Sequence, residues 1–217
     1  METCATPTVK GRPREFCTDA ALAAALRVFW SKGYEGASMA ELTEAMGITK
    51  PSLYAAFGNK ESLFRKALDL YEHEKLDYMR QALDAPTARE VAARLLRGAL
   101  ANQTGQNSPK GCLGVISSMA CGAEAESIRQ EVIARRVSSQ RALLDRFERA
   151  KTEGDLPPDT DVQGLASYLM VILQGMAVQA GAGASCAELE RLIDTSLAMW
   201  PAPDAGHAEP VAERAEA

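Results

Sequence analysis

The chain has 217 residues, 47% hydrophobic and 24% charged, with few aromatics and much Ala. That composition suits one sizeable helical core or two small ones and disfavours a sheet. A formal net charge of −5 excludes a protein coated in nucleic acid, but not a local basic site.

Residues 1–17 read as a flexible basic arm, with Pro7 and Pro13 and the run KGRPR. Arg12 and Arg14 in that run could lie along phosphates or reach a minor groove. Thr18 and Asp19 open the first helix, whose apolar face is Ala21, Leu22, Ala25, Leu26, Val28 and Phe29 and which Gly33 ends. Ser38 is an N-cap for the second helix, and Glu41 three residues on completes a capping box. Gly47 stops that helix, Thr49 caps the third, and Pro51 sits where a missing N–H matters least. Two short helices joined by a Gly-containing turn make a helix-turn-helix, whose second helix enters the DNA major groove. Residues 1–66 carry nine Lys/Arg against seven Asp/Glu, and the remainder fifteen against twenty-two. The net positive end is the end that would face DNA.

After Phe57, Asn59 caps a fourth helix that the spacing extends to about Ala82. The stretch FWSKGYEGASMAELTEAMGITKPSLYAAFGNKESLF resembles the N-terminal domain of the TetR family of bacterial transcription regulators. The resemblance is carried by an aromatic–x–x–x–Gly–Tyr loop, a hydroxyl residue opening the second helix, Gly–Ile–Thr–Lys in the turn, Leu–Tyr–x–x–Phe in the third helix and Lys–Glu–x–Leu in the fourth. It covers roughly residues 12–66; Thr43 departs mildly, standing where many such proteins carry Ala.

Beyond it the sequence predicts helices over about 87–103, 112–123, 125–151, from Asp161, and over 186–200. The expectation is an all-α chain of about nine helices: a three-helix DNA-binding domain at 18–66, a ligand-binding and dimerisation domain at 67–200, and a disordered tail at 201–217. The C-terminal half resembles the same family more weakly. The segment Val162 to Ala187 carries no charge, but its Gln and Gly residues fit a helix buried against protein better than a bilayer span.

Candidate DNA contacts are Ser38, Thr49, Lys50, Pro51, Ser52 and Lys60, with Lys50 and Ser52 able to meet a base edge. The resemblance adds Tyr54 as a backbone contact. It also implies a homodimer on a palindromic operator of double-stranded DNA, paired through Leu165, Leu169, Ile172, Leu173, Met176, Ile193 and Leu197. It implies a small-molecule effector in a pocket that Tyr71, Tyr78, Met119, Tyr168 and Met170 could line, with ligand binding releasing a repressor. Cys112 stands beside Lys110, so it and Cys121 are candidates for a redox- or electrophile-sensing thiol; the alternative is that both are small buried hydrophobes. An all-α small-molecule-binding protein without specific DNA function is the reading of another class.

Five cysteines without a CxxC and two His argue against a disulfide framework, a metal site or a cofactor. No nucleophile–base pair or phosphate loop points to an enzyme. The N-terminus lacks the apolar run of a signal peptide, and the expectation is a reduced, cytoplasmic protein without membrane attachment.

Overall fold

A computed structural model describes residues 17–105, 108–119 and 122–201. The described residues form ten α-helices and no strand: α1 (Thr18–Gly36), α2 (Met39–Met46), α3 (Lys50–Phe57), α4 (Lys60–Lys75), α5 (Asp77–Ala82), α6 (Ala88–Thr104), α7 (Leu113–Ser118), α8 (Glu126–Thr152), α9 (Val162–Gly181) and α10 (Cys186–Ala198). A single 3-10 turn at Ala123–Ala125 precedes α8.

Helices α2, α3 and α4 begin where the side chains of Ser38, Thr49 and Asn59 cap them. Ser38 N–H and Oγ–H both donate to Glu41 Oε2, at 3.0 and 2.9 Å, and Glu41 N–H donates back to Ser38 Oγ at 3.2 Å. Lys32 closes the box with an ion pair to Glu41. Its hydrogen bond, then those from Ser38, hold the Glu41 carboxyl down at about 2 against an ordinary 4.5. The sign is that of a depressed acid, so this support is complete above about 4.5 and is lost only as pH falls towards 2. Gly47 takes the left-handed conformation, φ +65°, that turns the chain from α2 into α3.

Two helices depart from the expected pattern. The long fourth helix breaks at Leu76 (φ −110°, ψ 2°), so α4 and α5 are separate. Beyond the break, Tyr78 lies so close to Gly98 of α6 that any Cβ there would overlap its ring. Of the segment expected as a helix over 112–123, the described residues are α-helical only at Leu113–Ser118. Val137 on α8 is 57% exposed. It lies where α8 passes between two cores, Val132 being the last residue in one and Leu143 the first in the other.

Those cores organise the molecule. The first joins α1–α4 around Phe29, Trp30, Leu42, Leu53, Phe64 and Tyr71, and it takes in Leu113, Ile128 and Val132 from α7 and α8. The second joins α5, α6, α9, α10 and the far half of α8. Buried Arg146 on α8 ties the α5–α6 connection down by donating to the carbonyls of Leu83, Ala85 and Pro86 at 2.8–3.1 Å. Among the described residues only α9 is long and apolar enough to cross a membrane; Leu169 and Met176 on its inner face are fully buried in the second core.

Candidate DNA-reading face and ligand cavity

Leu53 and Phe57 are buried and clamp α3 to the first core, which turns the opposite side of the helix to solvent. Thr49, Lys50, Pro51, Tyr54 and Ala55 are exposed there, and Ser52 is half-buried. Thr49 caps α3, its Oγ1 lying 2.9 Å from Ser52 Oγ and accepting from Ser52 N–H at 3.4 Å. The two hydroxyls proposed for DNA thus already satisfy each other. α2 and α4 each carry an acid in the first turn, Glu41 and Glu61, whereas α3 carries none and starts with Lys50. An acid there would stabilise the helix but repel phosphate. Lys60, at the start of α4, lies 4.7 Å from the centroid of the Tyr34 ring of α1, a cation–π attraction. Ser38 is engaged in its capping box. Arg12 and Arg14 lie outside the described residues, as do Cys121, the first sixteen residues of the arm and the tail beyond Pro201.

A cavity of about 120 Å³ lies between α4, α5, α6, α7, α8 and α9. It is comparable to the roughly 150 Å³ apolar cavity that admits benzene. Of the residues named from the sequence, Tyr71, Tyr78 and Met170 line it, and Met119 and Tyr168 do not. Met119 follows the short α7 and is 70% exposed, because the helix ends before it can turn inward. The remaining wall includes Asn102, Cys112 and Val115, which periodicity alone did not single out. Asn102 Nδ2 donates to the Tyr71 hydroxyl at 3.4 Å. Burial, with the Cys112 thiol nearby, raises the Tyr71 and Tyr78 hydroxyls well above the usual tyrosine value, so both stay protonated. Cys112 is half-buried and unbridged.

At the rim, Arg135 pairs with Glu131, Asp69 and Glu72 at 2.6–2.8 Å. Burial opposes its charge, yet the three carboxylates outweigh that and raise its guanidinium further. An outer groove between α4–α5 and α8 shares Glu72, Leu76, Met79 and Arg135 with the cavity, so the two are continuous there. Among the described residues no cluster of His, Cys, Asp or Glu is arranged to hold a metal.

The cavity and the reading face are joined by several contacts. Leu68 and Tyr71 line the cavity from α4, the helix that begins at Lys60. Trp30 of α1 packs edge-on against Tyr71, with centroids 4.8 Å apart, and its Nε1–H donates to Gly111 O at 3.2 Å. Gly33 breaks α1 with φ +72°, and a Cβ there would stand 3.0 Å from Ile116 Cγ2 of α7. Gly122 N–H donates to Glu35 at 2.8 Å, and Arg65 bridges Glu61 and Glu131 at 2.7 and 2.6 Å.

The residues expected at a dimer interface are placed differently. Leu169, Leu173, Met176, Ile193 and Leu197 are buried in the chain's own second core. Leu165 and Ile172 are half-buried. The outer stripe of α9 is Gly164, Val171, Gly175 and Val178, all exposed, with Val171 at 64% and Val178 at 53%. Met199, 67% exposed, follows α10.

Residues 21–67 match the family model for bacterial regulatory proteins of the tetR family. Residues 93–195 match that for the tetracyclin repressor-like C-terminal domain. The HTH-type transcriptional repressor ComR of Escherichia coli (strain K12) is 36% identical over 206 residues, covering 93% of this chain and 98% of ComR. The uncharacterized HTH-type transcriptional regulator YezE of Bacillus subtilis (strain 168) is 30% identical over 197 residues, covering 87% and 98%. A solved structure of a cysteine mutant of the TetR family regulator CifR, complexed with 26-bp double-strand operator DNA, is 45% identical. It superposes with a TM-score of 0.83 over 88% of this chain and all of that one.

Proposed function

The chain belongs to the TetR family of bacterial regulatory proteins and is a helix-turn-helix transcription regulator, and from that premise we propose that it is a cytoplasmic repressor that holds a palindromic operator as a homodimer and leaves it when a small molecule fills the cavity. The observation that carries the reading is α4, a single helix with Lys60 beside the recognition helix at one end and Leu68 and Tyr71 in the cavity wall. A ligand that binds one tilt of α4 better than another shifts the spacing of two heads, and its leverage equals that differential affinity. ComR and CifR support the repressor and operator parts: one is named a repressor and the other was solved on operator DNA.

Lys50, Tyr54 and Lys60 are the proposed groove and phosphate contacts, with Arg12 and Arg14 as an arm along the backbone. Ser38 and Thr49 act first as caps, since their hydroxyls are already bonded. The cavity chemistry fits a compact, neutral, mostly apolar effector, because its tyrosines stay protonated and Arg135 is already matched by carboxylates.

Selecting duplexes from a random pool with the full chain tests the function. A palindrome should be enriched, and Lys50→Ala should weaken binding to it by about ten- to a hundredfold, the worth of one good base contact. Equal affinity for the selected duplex and a random one would sink the regulator reading.

A second reading is favoured by the Cys112 thiol opening onto the same cavity near the Tyr71 hydroxyl. In it the effector is a small electrophile, whose carbon bonds to the sulfur as its leaving group departs and the thiol proton passes to solvent. Iodoacetamide should then release the wild-type chain from its operator and leave Cys112→Ser bound. Equal release of both proteins would place the alkylation at one of the other four cysteines, Cys4, Cys17, Cys121 or Cys186, and discard this reading.

A further inference from the structure

We infer that α3 reads each operator half-site mainly through two apolar groups, Pro51 and Ala55, set against thymine methyls, with Lys50 as its polar base reader. The inference rests on the DNA-binding reading above and adds the chemistry of the bases it selects. At roughly 100° per residue, buried Leu53 and Phe57 define the core side of α3. The two positions on the diametrically opposite side are Pro51 and Ala55, both exposed. These stand deepest in any groove the helix enters. Tyr54 projects from one flank; Lys50, in the first turn, falls nearer the core side on the same count, and its long exposed side chain reaches round to a base edge or a phosphate. Ser52 lies on the other flank, half-buried, with its hydroxyl bonded to Thr49.

The groove centre thus meets a pyrrolidine ring and a methyl group, neither of which can donate or accept a hydrogen bond. The major-groove feature that rewards such a surface is the thymine C5-methyl; the amino and carbonyl groups of the other bases would lose water there without a partner. Pro51 and Ala55 are one turn apart, about 6 Å along the helix, which matches about two base steps. Lys50 can add a hydrogen bond to a guanine O6 or N7 on the flank. The half-site is therefore selected by a pair of thymines within about two steps, next to a guanine.

The test uses the full chain and its selected operator, in which each thymine is replaced in turn by deoxyuridine and each guanine by 7-deazaguanine. Deoxyuridine keeps the pairing and removes only the methyl. One or two uracil positions per half-site should weaken binding about fourfold each, the worth of a buried methyl. Ala55→Gly should abolish one of these penalties and Pro51→Ala the other, while Lys50→Ala should abolish a 7-deazaguanine penalty. Each penalty is a ratio within one protein, so a general loosening of α3 by substitution cancels. A wild-type operator indifferent to every uracil would overturn the proposal, as would uracil penalties unchanged in both variants. Enrichment of no sequence at all would sink sequence-specific binding itself, a separate failure seen before any base is replaced.

Discussion

Trp30→Ala should destabilise the fold by about 3–5 kcal/mol, the usual cost of truncating a large aromatic in a packed core. Trp30 is 2% exposed, stacks edge-on against Tyr71 and donates to Gly111 O, 81 residues away. Truncation opens a void between α1 and α4 and strands a buried carbonyl, so two separate penalties act on one site. A domain of ordinary stability has about 5–15 kcal/mol in hand, and such a loss removes a large part of it. The check is a urea titration at fixed chain concentration, since association also contributes to apparent stability. Trp30→Phe should recover most of the packing and lose only the donor, at about 1–3 kcal/mol. A midpoint unchanged by Trp30→Ala would mean that the seam between α1 and the α6–α7 connection carries little of the fold.

Val171→Asp combined with Val178→Asp should convert the protein to a monomer and weaken operator binding by at least about a hundredfold. Both valines are exposed in the single chain, so the substitution costs its fold little. In a two-fold dimer that pairs this stripe, four added carboxylates would be desolvated without partners. One head alone then holds one half-site, and the affinity contributed by the second is lost. Sedimentation measures the association and operator titration the consequence. Val137→Asp is the control: Val137 is comparably exposed but belongs to α8 and not to the α9 stripe. If the double variant remains dimeric, the outer stripe of α9 is not the contact.

How much of this was legible in the sequence depends on the range of the forces involved. The helix-turn-helix was legible because its signals are local: Ser38 and Glu41 lie three residues apart, and Gly47 imposes its turn by its own backbone freedom. Leu42, Leu53 and Phe57 announced themselves by periodicity and are buried. The break at Leu76 was not legible. No Gly or Pro marks it, and its surroundings include the close approach of Tyr78 to Gly98, twenty residues away. The cavity wall was half legible for the same reason: large apolar residues on α4 and α9 could be guessed, but Asn102 and Val115 belong to it only through tertiary packing. Which side of α9 faces inward was only weakly legible, because a helix without charge marks its outer side by a few neutral polar residues, Gln163, Ser167 and Gln174.

The interruption at Leu76 gives α4 the mechanics of a lever. From Leu76 to Lys60 is sixteen residues, about 24 Å of helix, and from Leu76 to Tyr71 five residues, about 7.5 Å. If α4 tilts about the break as a rigid rod, a displacement at the cavity wall grows about threefold by the time it reaches the reading head. A tilt of about 5° moves Tyr71 by roughly 0.7 Å, well within the slack of a side-chain contact, and Lys60 by about 2 Å. Had α4 and α5 stayed one helix, the same push would also have to drag Tyr78 off Gly98. The break separates the moving arm from its anchor.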